Sequence, residues 1–114
     1  MILIGGKTWR SQSFETNYTI IELVKKFKNN PNKVVGVICD AAYFLATNGL
    51  LNDCKHTVNI FAEIKDNENY TNSENFVKAE SVIDGKIVTA RGDSPVHFVK
   101  NVMKALGDIP EKNI

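Results

Sequence analysis

The sequence lacks the features that mark secreted, membrane-spanning and nucleic-acid-binding proteins. Only two cysteines occur in 114 residues, so there is no disulfide framework, and both thiols should be free in a reducing compartment. The 14 Lys and Arg residues nearly balance the 13 Asp and Glu residues, and a net charge of +1 gives no field for binding nucleic acid or an anionic membrane. No apolar run approaches the roughly 18 residues that span a bilayer, and there is no signal-peptide pattern. We therefore expect a cytoplasmic protein without a nucleic acid or membrane partner.

The sequence also lacks the motifs of bound metals and cofactors. No cluster of histidine, cysteine and carboxylate residues has the spacing of zinc ligands, and no glycine-rich phosphate loop is present. We therefore expect neither a metal nor a cofactor. What is present is an apolar fraction of 43% in a chain of ordinary domain size, which predicts a single compact domain over residues 1–114.

The order of the predicted elements is that of an α/β protein with a mainly parallel sheet. An apolar run over residues 1–4 predicts a short buried strand, and the unbroken apolar run over 34–38 predicts a strand covered on both faces. Helical spacing of apolar residues predicts a helix over 20–27 that begins within 16–19, and this helix supplies the crossover that parallel strands need. A second helix is predicted over 41–48, directly after the strand.

The second half of the chain predicts an extended segment, a hairpin and a last helix. Residues 56–64 have extended propensity, and residues 77–90 predict a β-hairpin around an Asp-Gly turn signal at 84–85. The Ser-Pro pair at 94–95 is typical of a helix start, and Gly107 is typical of a helix end. The predicted apolar face of this helix consists of Val96, Val99, Val102, Met103 and Leu106.

Cys39 follows the strand at 34–38 in the pattern of a nucleophile elbow. The strand runs directly into the cysteine, and Asp40 with two alanines after it lets the chain fold back sharply into a helix. The N-terminus of that helix would direct positive potential at the sulfur and favour the thiolate. A cysteine after a hydrophobic strand is also an ordinary core residue, so the local pattern allows a reactive or a structural role.

Gly5 and Gly6 end the first predicted strand and bear on the same question. Glycines at this place can turn backbone N–H groups toward a neighbouring strand end, and with the N–H of Asp40 they could form an oxyanion hole. The alternative is a tight turn without a chemical role.

Four blocks of the sequence resemble, in order, those of the PfpI family. They are residues 1–9 (MILIGGKTW), 34–52 (VVGVICDAAYFLATNGLLN), 55–59 (KHTVN) and 83–95 (IDGKIVTARGDSP). The family contains intracellular proteases and amidases, belongs to the class I glutamine amidotransferase-like superfamily and includes the parkinsonism-associated deglycase. The resemblance extends from residue 1 to about residue 107, and it implies a flavodoxin-like three-layer sandwich.

The resemblance also implies roles for particular residues. Cys39 corresponds to the family's cysteine, and Gly5 and Gly6 correspond to its oxyanion-hole glycines. Two positions differ from the family pattern. Asp40 stands where many members have a histidine after the cysteine, and Asn59 stands where other relatives place a histidine near the sulfur. Asn59 is therefore expected in the pocket, and the sequence does not establish a conventional Cys-His pair.

The resemblance further implies that the sandwich is N-terminally incomplete. Family members begin with a strand-helix-strand unit ahead of the Gly-Gly strand, and residue 1 of this chain corresponds to the start of that strand. A sandwich without the unit would leave a strand edge and an apolar helix face uncovered. Such a chain is either a truncated or split product, or it completes its sheet as a homo-oligomer or by association with the missing segment.

Four further residues have alternative roles. His56 could take the proton of the thiol, or it could be a surface or capping histidine. Trp9 could wall the pocket or pack against the loop. Cys54 lies in a polar loop, which makes it in principle more accessible than the elbow cysteine, and it is interpreted as incidental or as a bystander that can be oxidised. His97 is interpreted as a helix-surface residue.

The favoured hypothesis is a cysteine hydrolase or amidase of the PfpI type that acts on a small molecule or a peptide. Cys39 would attack an electrophilic carbon, the N–H groups around Gly6 and Asp40 would hold the oxyanion, and His56 or another chain would take the proton. The alternatives are a redox or stress-response protein in which Cys39 is oxidised, and an inactive remnant or fragment.

Overall fold

Residues 1–107, which the computed structural model describes, form a four-stranded sheet with helices on both faces. The strands are β1 (Ile2–Leu3), β2 (Val35–Ile38), β3 (Ser81–Asp84) and β4 (Ile87–Ala90). They lie in the order β1-β2-β4-β3, and β3 pairs antiparallel with β4 while the other neighbours are parallel. The helices are α1 (Phe14–Lys28), α2 (Asp40–Thr47) and α3 (Pro95–Leu106). No helix within this range is long and apolar enough to cross a membrane. Residues 108–114 of the predicted domain lie outside the described residues.

Alternate residues of β2 point to opposite faces of the sheet. Val35 and Val37 join the core beneath α1 and α2, whereas Ile38 joins the core beneath α3. The strand is therefore covered on both faces, which is what its unbroken apolar sequence predicts. Burying each of these side chains stabilises the fold by roughly 1.5 to 3 kcal/mol.

Gly36 in the middle of β2 sets how closely α3 approaches the sheet. A methyl group at this position would lie 3.0 Å from Val102 Cγ2, 3.1 Å from Phe98 Cζ and 3.0 Å from Ile2 Cδ1. These three side chains therefore rest on the bare backbone of β2. It follows that α3 and the Ile2 side chain of β1 lie next to each other on one face of the sheet.

The helix ends follow local sequence signals, although α1 begins before its predicted start and α2 lies one residue earlier than predicted. α1 begins at Phe14, earlier than predicted, because the Ser13 hydroxyl accepts a hydrogen bond from the Thr16 N–H at 3.2 Å and caps the helix. Gly49 follows α2 with a φ of 75°, the left-handed conformation that glycine adopts without strain. α3 begins and ends at the predicted residues.

The predicted hairpin is present, but the predicted extended segment is not a strand. A two-residue turn at 85–86, one residue later than predicted, joins β3 to β4, and Gly85 in it has a φ of 61°. Residues 56–64 contain a single bridge, from His56 to Phe76, followed by a 3-10 turn. Since β2 and β3 already occupy both edges of β4, this segment has no free edge of that strand on which to pair.

Two apolar surfaces are exposed, and for one of them, the strand at residues 1–4, burial was predicted. Ile2 and Ile4 are 46% and 71% exposed, because β1 is an edge strand with β2 as its one neighbour. In α3, Phe98 and Ala105 pack into the core, whereas four of the five residues of the predicted apolar face are exposed. The four exposed residues are Val96, Val99, Met103 and Leu106, defined here as the α3 stripe. The predicted apolar face of α3 is therefore present but largely exposed, and the helix packs on the sheet with another apolar side that includes Phe98 and Ala105.

Candidate active site at Cys39

Cys39 forms the junction between β2 and α2 in a strained backbone conformation. Its φ of 64° and ψ of −131° lie where residues other than glycine are rare, and it is the one non-glycine residue within 1–107 with a positive φ. The Cys39 N–H donates to the Ala90 carbonyl of β4 at 3.1 Å, and its carbonyl accepts from the Ala42 N–H at 3.0 Å. Strand and helix thus both hold the residue while the chain reverses at it. This geometry is that of a nucleophile elbow.

Glycines at two neighbouring strand ends enclose the sulfur. A methyl group at Gly5 would overlap Cβ of Cys39 and lie 3.0 Å from Sγ, and one at Gly92 would lie 2.8 Å from Sγ. A methyl group at Gly6 would meet Thr8 Oγ1 at 4.0 Å and nothing closer. Of the two glycines predicted for the site, Gly5 therefore packs against the cysteine and Gly6 does not. Gly92 was not predicted from the sequence. It follows β4 in the same way as Gly5 follows β1, so the signal that pointed to Gly5, a glycine just after a strand, was also present for Gly92.

Asn59 hydrogen-bonds directly to the sulfur. Its Nδ2 donates to Sγ of Cys39 at 3.2 Å, and its Oδ1 accepts from the N–H of Gly92 at 2.5 Å. The sulfur and the amide share an open cleft of about 490 Å³ at the carboxyl end of the parallel strands. The cleft is lined by Cys39, Asn59, Ile60, Arg91, Gly92 and Asp93.

Asp40, the residue after the cysteine, is paired with Arg10. The guanidinium donates from Nε and Nη2 to the two carboxylate oxygens of Asp40, each at 3.1 Å, and Nη2 also donates to Glu63 Oε1 at 3.0 Å. Arg10 lies 4.0 Å from the centre of the Tyr43 ring. The hydrogen bonds to Glu63 and Asp40 raise the pKa of Arg10 further above its ordinary value, so the guanidinium stays charged. The Asp40 carboxylate is thus compensated beside Cys39 and does not cap α2. No sequence signal identifies Arg10 as its partner.

One protein family matches nearly the whole chain. The sequence pattern of the DJ-1/PfpI family covers residues 1–105. The chain belongs to the DJ-1/PfpI family. It is 35% identical to the uncharacterised protease YdeA of Bacillus subtilis, over 97% of this chain and 54% of YdeA. It is 31% identical to the uncharacterised protease YoaZ of the same organism, over 93% of this chain and 49% of YoaZ. The predicted family is confirmed, and the chain spans about half the length of these curated relatives.

Solved structures of DJ-1/PfpI proteins share this fold. A DJ-1 superfamily protein from Agrobacterium tumefaciens superposes with a TM-score of 0.79 at 32% identity, over 98% of this chain and 59% of that one. A ThiJ/PfpI family protein from Bacillus anthracis gives a TM-score of 0.80 at 31% identity, over 93% of this chain and 50% of that one. The predicted flavodoxin-like α/β fold with a mainly parallel sheet is therefore confirmed.

His56 is an interior residue of this DJ-1/PfpI chain. Its ring is 0% exposed, Nδ1 hydrogen-bonds to the Cys54 carbonyl at 2.9 Å, and Nε2 hydrogen-bonds to the Tyr70 hydroxyl at 2.6 Å. Burial lowers the pKa of His56, which favours the neutral ring. Since both ring nitrogens have partners other than Cys39, the geometry gives no support to His56 as the base. The alternative of a surface histidine is wrong as well.

Trp9 does not line the cleft around Cys39. Its ring packs against Phe44 of α2, with ring centres 4.9 Å apart, and its Nε1 donates to the Ile4 carbonyl at 2.7 Å. These contacts fasten the loop after β1 to α2. Trp9 therefore has the second of its two predicted roles, packing in the loop, and it holds this loop against α2.

Cys54 and His97 lie outside the cleft around Cys39. Cys54 is 7% exposed, and burial raises its pKa to about 12, so the expectation that it is the more accessible cysteine is wrong. The reason is that its loop folds over the core beneath α1 and α2. His97 lies on the exposed surface of α3, where Nδ1 is 2.8 Å from Glu80 Oε2.

The arrangement around Cys39 suits a nucleophilic sulfur. The residue is half-buried, and within residues 1–107 the side chain that hydrogen-bonds to Sγ is the donor Asn59. No cluster of histidine, cysteine and carboxylate residues in the described part of the chain could hold a metal ion. A partly exposed thiol with a donor against it and a helix N-terminus beneath it is the environment in which cysteines react.

Proposed function

We propose that the chain carries the nucleophile of a cysteine hydrolase or amidase that acts on small-molecule or peptide substrates. The observation that carries the proposal is the strained backbone of Cys39, which brings the sulfur into an open cleft at the carboxyl end of β2. The relatives YdeA and YoaZ are both named proteases, which supports the same class of reaction. Because the chain spans about half of each, the activity of the whole protein is part of the proposal.

In the proposed reaction, Cys39 attacks as the thiolate. The sulfur forms a bond to the carbonyl carbon of the substrate, and the π electrons of the C=O bond move to the oxygen. The N–H of Asp40 supports that oxyanion, because the first N–H groups of a helix have no acceptor within the helix. The backbone at Gly5 packs against the same junction. The N–H groups of Gly5 and Gly6 would form the other side of the proposed oxyanion hole, as the family resemblance implies. The intermediate then expels an amine or alkoxide, which takes a proton from water, and a second water hydrolyses the thioester.

The test is the hydrolysis of a panel of p-nitrophenyl esters and chromogenic amides. Cys39→Ala is expected to lower kcat/KM about 100-fold or more, because the covalent intermediate can no longer form. Cys54→Ala, which removes the buried thiol, is the matched control and is expected to stay within about two-fold of the unmodified chain. Hydrolysis that is unchanged in Cys39→Ala contradicts the proposal, and so does a chain that hydrolyses no member of the panel.

A second candidate function is redox sensing by the same sulfur. It is favoured by the contact that Cys39 makes, since Asn59 donates to Sγ and cannot take a proton from it. In this reaction the thiolate attacks one oxygen of hydrogen peroxide, the O–O bond breaks, hydroxide leaves and the sulfur becomes sulfenic acid. Mass spectrometry after peroxide treatment distinguishes the candidates. Reversible oxidation of Cys39 without turnover of the panel indicates sensing, and an inert thiol indicates an inactive chain.

We also propose that the functional protein covers its exposed apolar surface by association. The α3 stripe and Ile2 lie on the same face of the sheet, beside the open edge of β1. Exposed strand edges and apolar patches favour pairing with another polypeptide segment. Light scattering after size exclusion, over a range of concentrations, tests the homo-oligomer. A monomer at every concentration contradicts self-association and leaves association with another segment of the fold.

A further inference from the structure

We propose that Asn59 is a positioning residue that holds the Cys39 sulfur as a hydrogen-bond acceptor and thereby favours the thiolate over the thiol. The inference rests on the proposed function, in which Cys39 is the reacting sulfur. Its geometric basis is a chain of two hydrogen bonds that leads from the Gly92 N–H through the Asn59 amide to Sγ.

Gly92 fixes the direction of both hydrogen bonds. A backbone N–H can only donate, so the atom of Asn59 that lies 2.5 Å from the Gly92 nitrogen is the carbonyl oxygen Oδ1. The NH₂ group of the amide is then left facing Sγ of Cys39 at 3.2 Å. Because an amide NH₂ can only donate, the sulfur is the acceptor, and an ionised sulfur accepts more strongly than a neutral one.

The charged groups around Cys39 are already paired with one another. Arg10 binds both Asp40, at 3.1 Å, and Glu63, at 3.0 Å, and Arg91 after β4 is bound to Asp93 at 2.7 Å. Opposite charges this close cancel much of each other's field at the sulfur. The Asn59 amide and the N-terminus of α2 are therefore the local features that favour the ionised sulfur over the neutral one.

Asn59 also determines what kind of centre this is. An amide nitrogen does not accept a proton at ordinary pH, so Asn59 cannot act as a general base. The proton of the Cys39 thiol leaves to water in the open cleft. The reaction then starts from a thiolate that the site already stabilises, and not from a thiol paired with a base.

A purely structural role for Asn59 would be to brace Gly92, and one substitution separates this role from the proposed one. Asn59→Asp has the same shape and keeps an oxygen for the Gly92 N–H, but it replaces the donor that faces Sγ by a second oxygen. Asn59→Ala removes both contacts. Asn32→Asp places the same added charge in an exposed turn after α1 and serves as the matched control.

The experiment measures the rate at which iodoacetamide alkylates Cys39 between about pH 5 and about pH 10, a range that brackets the titration of thiols. The thiolate forms a C–S bond and iodide leaves, and peptide mapping separates Cys39 from the buried Cys54. In Asn59→Asp the midpoint of the pH profile is expected to move up by about one pH unit or more. Below the midpoint the rate is expected to fall about three-fold or more, because the higher intrinsic nucleophilicity of the remaining thiolate offsets part of the loss.

Asn59→Ala is expected to move the midpoint in the same direction, and Asn32→Asp is expected to leave it in place. An unchanged midpoint in Asn59→Asp overturns the inference. A shift that occurs only in Asn59→Ala also overturns it, because Asn59 would then serve only to brace Gly92. The measurement needs no turnover. If alkylation depends on Asn59 while the chain hydrolyses no ester or amide, the proposed function fails and this inference stands.

Discussion

The two cysteine-bearing regions of the molecule differ in nearly every physical respect. Cys39 lies at the rim of the sheet, half-buried, in a strained conformation and with an amide donor against its sulfur. Cys54 lies in the interior next to His56, whose ring is fully buried and hydrogen-bonded to Tyr70. In the first region the backbone of Cys39 is strained and its sulfur faces an open cleft. The second satisfies its polar groups and excludes water.

The difference shows that backbone geometry, more than residue type, distinguishes the environment of Cys39 from that of Cys54. A histidine two residues from a cysteine has the composition of a catalytic pair, yet the Nδ1 of His56 binds the carbonyl of Cys54 and not a thiol. Within the described residues every buried polar side-chain atom has a hydrogen-bond partner. Substitutions in the interior should therefore cost stability, and substitutions at the rim should cost chemistry.

The largest expected effect is the loss of the buried histidine. His56→Ala leaves a cavity and removes the partner of the Tyr70 hydroxyl, which should lower the free energy of unfolding by about 3 to 5 kcal/mol. Cys39→Ala at the rim should change it by no more than about 1 kcal/mol. Urea unfolding followed by the fluorescence of Trp9 measures both. The loss of stability in His56→Gln, which keeps hydrogen-bonding groups, should lie between the losses in these two variants. Equal losses in His56→Ala and Cys39→Ala would contradict the difference drawn between the two regions.

A smaller effect is expected from closing the space around the sulfur. Gly5→Ala places a methyl group on Cβ of Cys39, so it should lower the free energy of unfolding by about 1 to 3 kcal/mol. It should also slow the alkylation of Cys39 by iodoacetamide. Gly6→Ala is the matched control, since the space around Gly6 is open, and it should cost no more than about 0.5 kcal/mol. Equal behaviour of the two variants would contradict the packing of Gly5 against the cysteine.

The elements around the site could be predicted from the sequence because their signals are local. The unbroken apolar run at 34–38 predicts a strand buried on both faces, and the Ser-Pro pair at 94–95 predicts the start of α3. The junction at Cys39 follows from the strand, the cysteine and the small residues after it. In each case the residues that carry the signal are neighbours in the chain.

The contacts that the sequence did not predict join residues far apart in the chain. The pairing of Arg10 with Asp40 depends on which loops meet, and no local pattern encodes that. The family resemblance places Asn59 near the sulfur but does not predict the hydrogen bond that it donates to Cys39. The burial of His56 has the same origin, since its partner Tyr70 comes from another loop. The packing side of α3 was not predicted for a different reason, because apolar periodicity does not show which of two apolar faces packs on the sheet.

The pH dependence of stability gives a further, smaller effect, of at most about 1.4 kcal/mol per pH unit for one proton. Burial lowers the pKa of His56 from its ordinary value of 6.5. Below pH 6.5 the unfolded chain therefore binds a proton that the folded chain does not, and stability should fall as the pH falls toward the lowered value. Urea unfolding at a series of pH values measures the slope. His56→Gln should flatten it, and a slope that survives this substitution would assign the effect to another group.

The smallest expected effect is a gain in stability, and it tests the backbone strain at Cys39 directly. A residue other than glycine in the conformation of Cys39 carries strain of order 1 to 3 kcal/mol, whereas glycine adopts it freely but costs about 0.4 to 1 kcal/mol through the unfolded chain. Cys39→Gly should therefore be more stable than Cys39→Ala by about 1 kcal/mol, although it has fewer atoms. Both variants lack the thiol, so the comparison isolates the backbone. If Cys39→Gly were the less stable of the two, the junction would hold no strain, and the elbow geometry would lose its claim to distinguish Cys39 from Cys54.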